Sequence, residues 1–144
     1  MKTKEFDHVL DHAQIVAAIT KAEEGTSAEI RVFVSQKKTE DALKQAKAEF
    51  HRLGMEKTAD RNGILLFIAP ESQKFALIGD EGIHAKCGQS FWEEVTASIS
   101  TDFRQGDFTK GIVTGVQKAG ELLRRHFPRK PGDKNELTDD VARD

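Results

Sequence analysis

Six consecutive apolar residues, Ile64-Leu65-Leu66-Phe67-Ile68-Ala69, follow Asn62-Gly63 and precede Pro70-Glu71-Ser72-Gln73. A run of that length bounded by turn chemistry has the size of a strand, and with no polar residue alternating in it, neither face can meet water. The chain must therefore lay further structure on both sides of this strand. Lys74-Phe75-Ala76-Leu77-Ile78 returns directly after the turn, which makes the pair an antiparallel hairpin. Upstream, Glu29-Ile30-Arg31-Val32-Phe33-Val34 is rich in branched residues, with Ile30, Val32 and Val34 expected to face inward. A helical pattern joins it to the central strand, so the two should lie parallel through a right-handed crossover.

The remaining apolar residues recur at helical spacing. The first helix carries Val9, Ala13, Val16, Ile19 and Ala22 and ends at Gly25 in a left-handed cap. Thr39 is expected to cap a second, with Leu43, Ala46, Phe50 and Leu53 on one face and Gly54 as its stop. After Gly79-Asp80-Glu81-Gly82 a third carries Phe91, Val95, Ile99 and Phe103 and breaks at Gly106; Asp107 then caps a fourth with the stripe Ile112, Val116, Ala119, Leu123 and Phe127. These elements add up to an α/β chain, a three-layer αβα sandwich around a small mixed sheet of about four strands or fewer, with helices on both faces. One domain is assigned to residues 1–127. Residues 128–144, with Pro128, Pro131, Gly132 and mixed charges, are expected to form a loosely held tail.

Composition narrows the function classes. The 144 residues carry a formal charge of −2, with acids and bases interleaved, so no one-sided basic field is available for nucleic acid. The lone Cys87 fits a reducing compartment and allows neither a disulfide nor a thiolate metal centre. Its place before a helix carrying Phe91 and Trp92 is one where a thiol pKa can be lowered, but a small packed thiol is the expected reading. The N-terminal Met-Lys-Thr-Lys-Glu-Phe lacks the apolar core of a leader, and no later run has the length of a membrane span, so a cytoplasmic protein without direct membrane insertion is expected. No Gly-x-Ser-x-Gly elbow, phosphate-binding Gly-x-x-x-x-Gly-Lys loop or Gly-x-Gly-x-x-Gly turn is present.

The topology itself makes a site expectation. The entrances to the two parallel strands and the exit of the third share one sheet edge, bringing together segments 25–29, 58–63 and 79–84. Glu29, Asp60, Asn62, Asp80 and Glu81 converge there, an oxygen-rich set of the kind that holds a hard divalent cation such as calcium or magnesium. The same residues also read as turn chemistry and solvated loop carboxylates, with Glu29 paired to Arg31 or a lysine. His84 lies in the same loops and is the one histidine placed to act as acid or base. His8 and His12 lack a third ligand, His51 lies on a solvated helix face, and Ser27 is a small residue at a strand start. Asp107 is carried towards the opposite edge.

The order of these segments is similar to one family. Thr26-Ser27-Ala28-Glu29-Ile30-Arg31-Val32, Arg61-Asn62-Gly63-Ile64-Leu65-Leu66, Ile78-Gly79-Asp80-Glu81-Gly82-Ile83 and Phe103-Arg104-Gln105-Gly106-Asp107-Phe108 resemble the TPM domain family. The resemblance runs from about Phe6 to Phe127 and implies an αβα sandwich. It also implies an acidic metal site, acid phosphatase activity in some members, and action on membrane-protein assemblies in others. The family's Asp-Asn-Gly falls on Arg61-Asn62-Gly63, so an arginine stands at the aspartate position, with Asp60 one place earlier; the family's later acid is matched by Asp107.

Two functions are consistent with these residues. In one, the acidic edge of a non-catalytic or regulatory domain binds a divalent cation or a partner protein. In the other, Asp60, Asn62, Asp80 and Glu81 hold the metal of a phosphomonoesterase, Arg61 orients phosphate and His84 protonates the leaving group.

Overall fold

The computed structural model describes residues 1–129 and 141–144. Among these, the central strand is as expected: β2 (Gly63–Ala69) is buried at every position. It pairs in parallel with β1 (Glu29–Val34) and antiparallel with β3 (Lys74–Gly79), and the sheet is completed by β4 (Ala142–Arg143) in the order β3-β2-β1-β4. Alternation divides the sheet into two dry faces. Ile64, Leu66 and Ile68 join Ile30, Val32 and Val34 in the larger core, while Leu65, Phe67 and Ala69 join Phe33 in the smaller one. Phe33 lies opposite Phe67 in the register, with stacked rings 5.6 Å apart.

The larger core is covered by α2 (His12–Glu24), α4 (Glu81–Arg104) and α5 (Phe108–His126), with Phe6 of α1 (Thr3–Val9) at one end; α3 (Ala42–Arg52) covers the other face. The stripe Ile112, Val116, Ala119, Leu123 and Phe127 is buried throughout, as are Phe91, Val95 and Ile99. Close packing of α5 on α2 depends on Gly120, where a Cβ would stand 2.8 Å from that of Ala22. Among the described residues, no helix is long and apolar enough to cross a membrane.

Several local expectations are corrected. The first helical segment is two helices, because Leu10 is extended and the Asp11 side chain accepts a hydrogen bond from the Gln14 amide, restarting the helix. The buried stripe is accordingly Ile15, Ala18, Ile19 and Ala22, while Val9 is 55% exposed. Gly25 closes α2 at φ −98°, outside the left-handed region. Asp41, not Thr39, caps α3, accepting from the Lys44 amide at 3.1 Å, and Thr39 instead accepts from the Asp41 amide. Leu43 consequently turns outward. Most of the expected tail, residues 130–140, lies outside the described residues. Residues 141–144 sit on the sheet: β4 pairs with β1, and Asp144 accepts from the Ser35 hydroxyl at 2.6 Å and the Gln36 amide at 2.8 Å.

Candidate functional site

The three loops meet at the expected edge and are tied together by their backbones. The Glu29 amide donates to the Asn62 carbonyl at 3.4 Å, the Asp80 amide to Gly63 at 3.0 Å, and the Gly82 amide to Arg61 at 2.9 Å. Arg61 itself has φ 50°, a left-handed turn residue between buried Asn62 and exposed Asp60. Gly82 is required for this approach, since a Cβ there would lie 2.6 Å from the Arg61 carbonyl oxygen. The amino end of α4 is thereby docked directly on the loop that opens β2.

The side chains form two small networks. Asn62, 1% exposed, donates twice to neutral hydroxyls: its backbone amide to Thr58 at 3.1 Å and its Nδ2 to Ser27 at 3.1 Å. Ser27 in turn donates to Asp60 Oδ2 at 3.3 Å. In the second network, Arg61 Nε donates to Asp80 Oδ2 at 2.6 Å and Nη2 to Oδ1 at 2.9 Å, a bidentate pair. Asp80 Oδ1 also caps α4 by accepting from the Glu81 amide at 2.8 Å, and Glu81 reaches the same guanidinium at 3.4 Å while its side chain stays 72% exposed. The hydrogen bond from Arg61 to Asp80 is the main reason the guanidinium is held above its ordinary pKa.

Arg61 and Asp80 stand at one wall of a cleft of about 490 Å³. His84 and Trp92 of α4 form another wall, their rings 4.9 Å apart and inclined by 31°. Phe50 and His51 of α3 close the far side. His84 is exposed, and its backbone amide donates to the Asp80 carbonyl at 3.3 Å.

The donor set does not fit a divalent cation as arranged. Both oxygens of Asp80 are engaged by a cationic side chain, and Asp60 brings only one carboxylate next to neutral Ser27 and Asn62. Glu29 is buried to 2% exposure at the start of β1, on the face shared with Phe33 rather than with Ile30. Among the described residues, no three His, Cys, Asp or Glu side chains are grouped to hold a metal.

Asp107 is separated from the other acids. It precedes α5 beyond the far end of α4, and the neighbouring Thr109 accepts from the Asp11 amide at the start of α2, whereas the loops lie at the end of α2. Its side chain makes no capping hydrogen bond, contrary to the role expected for it. Cys87 is buried within α4, and burial raises its thiol pKa, in keeping with a packed thiol. His12 lies 3.2 Å from Asp7, and no link to His8 replaces that contact in the described residues.

Sequence reasoning missed Ser27 and Thr58, the two hydroxyls that fix Asn62. A Thr-x-x-x-Asn spacing before a strand was the available signal for Thr58; Ser27 carries none, since its partners come from a different loop.

Comparison with known proteins agrees with this fold. The family model for the TPM domain matches residues 4–122. The chain is similar to the BA42 protein of the psychrophilic bacterium Bizionia argentinensis, whose solution structure has a TM-score of 0.87 at 36% identity, covering 94% of this chain and 96% of that one. It shares its fold with the N-terminal domain of a P. gingivalis protein, at TM-score 0.67 and 16% identity over 85% of this chain and 83% of that one. A third likeness is the N-terminal domain of the cg2496 protein of Corynebacterium glutamicum, at TM-score 0.61 and 16% identity over 77% and 70% of the two chains. No curated protein sequence matches the chain. With the family model spanning most of its length and its loops meeting at the expected sheet edge, the chain belongs to the TPM domain family.

Proposed function

We propose that this chain is a non-catalytic interaction domain whose loop edge takes a divalent cation, calcium or magnesium, only in competition with Arg61. The bidentate pair between Arg61 and Asp80 carries the reading. A guanidinium already neutralises the most buried loop-edge aspartate, so a cation gains Asp80 as a ligand only when that fork is released. Release would make Asp60, Asn62, Asp80 and Glu81 available together, and would free Arg61 to meet an anionic group in the adjoining cleft. Its partner on this reading is a protein, and the family resemblance suggests a membrane-protein assembly.

A metal-dependent phosphomonoesterase would need a cation held firmly beside an aligned nucleophile. The hydroxyl nearest the acids, Ser27, is engaged on both sides by Asn62 and Asp60, which favours binding over catalysis. The test is phosphate release from a panel of phosphomonoesters by chelator-stripped protein, with calcium or magnesium restored, for the wild type, Asp80→Ala and Asn62→Ala. Background rates in all three support the interaction domain. Robust turnover lost in both variants would refute it.

A further inference from the structure

A second cavity lies at the opposite edge of the sheet. It has a volume of about 620 Å³ and opens where β2 ends and β3 begins, against the last turn of α4 and the first of α5. Its walls include Phe6, Phe75, Phe103 and Phe108, whose rings contact one another at centroid distances from 4.9 to 6.4 Å. A volume of this order, mostly apolar and with few polar groups, is that of a small-molecule site, and the carboxyl ends of parallel strands are where open α/β sheets receive ligands.

Among the described residues, the charged side chains lining the cavity have one sign: Lys74 and Arg104 line it, with neutral Gln73 and Ser100, and no aspartate or glutamate does. Lys74 Nζ donates to the Glu40 carbonyl at 2.7 Å, which uses one of an ammonium's three donors. Arg104 is exposed at the end of α4. The acids adjacent in sequence to the wall, Glu5, Asp7, Glu71, Asp102 and Asp107, are not among its lining residues, and Glu71 accepts from the Thr3 hydroxyl at 3.2 Å. From the aromatic body and the two lining cations we infer that this cavity binds a small amphipathic carboxylate, an alkyl or aryl chain among the four phenylalanines with its carboxylate on Arg104 and Lys74. The site is independent of the loop edge and of the function proposed for it.

The inference is tested by titrating isotope-labelled full-length protein with octanoate, and in parallel with octylammonium, by amide chemical-shift mapping and calorimetry. Saturable shifts centred on Phe6, Phe75, Ser100, Phe103 and Phe108 are expected, with octanoate binding roughly tenfold or more tightly than octylammonium. Arg104→Glu, at an exposed position, should weaken octanoate by roughly tenfold without altering the unfolding temperature. Ser100→Trp, which fills the cavity, should abolish binding. Absence of saturable octanoate binding, equal affinity for the two probes, or an Arg104→Glu variant that binds octanoate like the wild type would overturn it.

Discussion

Replacing Gly82 by alanine tests how the site is assembled. The added Cβ would meet the Arg61 carbonyl oxygen at 2.6 Å, and that oxygen is backbone, held at 2.9 Å by the Gly82 amide itself. Neither partner can rotate away, so the loop opening β2 and the first turn of α4 must separate. Overpacking of this kind costs about 1–3 kcal/mol. In a chain of this size each kcal/mol lowers the unfolding temperature by roughly 2–4 °C, giving an expected fall of about 2–12 °C. Urea unfolding should show a lower midpoint with an unchanged slope, and amide spectra should show the largest shifts at Arg61, Asn62 and Glu81. Glu81→Ala, at an exposed side chain next door, is the control and should change stability by less than about 0.5 kcal/mol. A Gly82→Ala protein as stable as the wild type, with Arg61 unshifted, would refute the docking of α4 on this loop.

Phe67→Ala removes a fully buried ring stacked on Phe33 and should cost about 3–5 kcal/mol in urea unfolding, with the fold retained if total stability allows. Asp41→Ala should destabilise by about 1 kcal/mol through loss of the α3 cap, and Thr39→Ala by clearly less; the reverse order would restore Thr39 as the cap. Burial raises the Cys87 thiol pKa in the folded protein, so the native state holds this proton more tightly than the unfolded one. Its contribution to stability is therefore full below the thiol's ordinary value of 9.0 and declines as pH rises above it, and Cys87→Ser should lessen that alkaline decline. Alkylation of the native thiol at neutral pH should be slow relative to the denatured chain.

The fold was legible wherever one physical requirement dominated. An uninterrupted apolar run of six residues closed off by turn chemistry on both sides fits a strand covered twice, and Ile64 to Ala69 is buried at every position. Topology then implied the meeting of the three loops without any motif. Reading failed where a short polar side chain overrode the apolar period. Asp11 restarts a helix that the spacing of Val9, Ala13 and Val16 carried straight through, and Asp41 takes the cap from Thr39 two residues earlier. The pairing of β4 with β1 was illegible for another reason: two residues, Ala142 and Arg143, carry no periodicity. At the site, the set Glu29, Asp60, Asn62, Asp80 and Glu81 was a statement about which loops meet; the loops do meet, while Asp60 and Asn62 join through Ser27 and Asp80 and Glu81 through Arg61. Which carboxylate is engaged by Arg61 depends on the left-handed turn at that residue and on the reach of its side chain, neither of which composition reveals.

The central claim is that Arg61, by holding Asp80, sets the affinity of the loop edge for cations. Calorimetric titration of chelator-stripped wild type and Arg61→Gln with calcium and with magnesium addresses it most directly, with Asp80→Asn as the variant lacking the contested ligand. The account predicts weak binding by the wild type, tighter binding by roughly tenfold or more in Arg61→Gln, and none in Asp80→Asn. Wild-type binding that is already tight and unchanged by Arg61→Gln would contradict it.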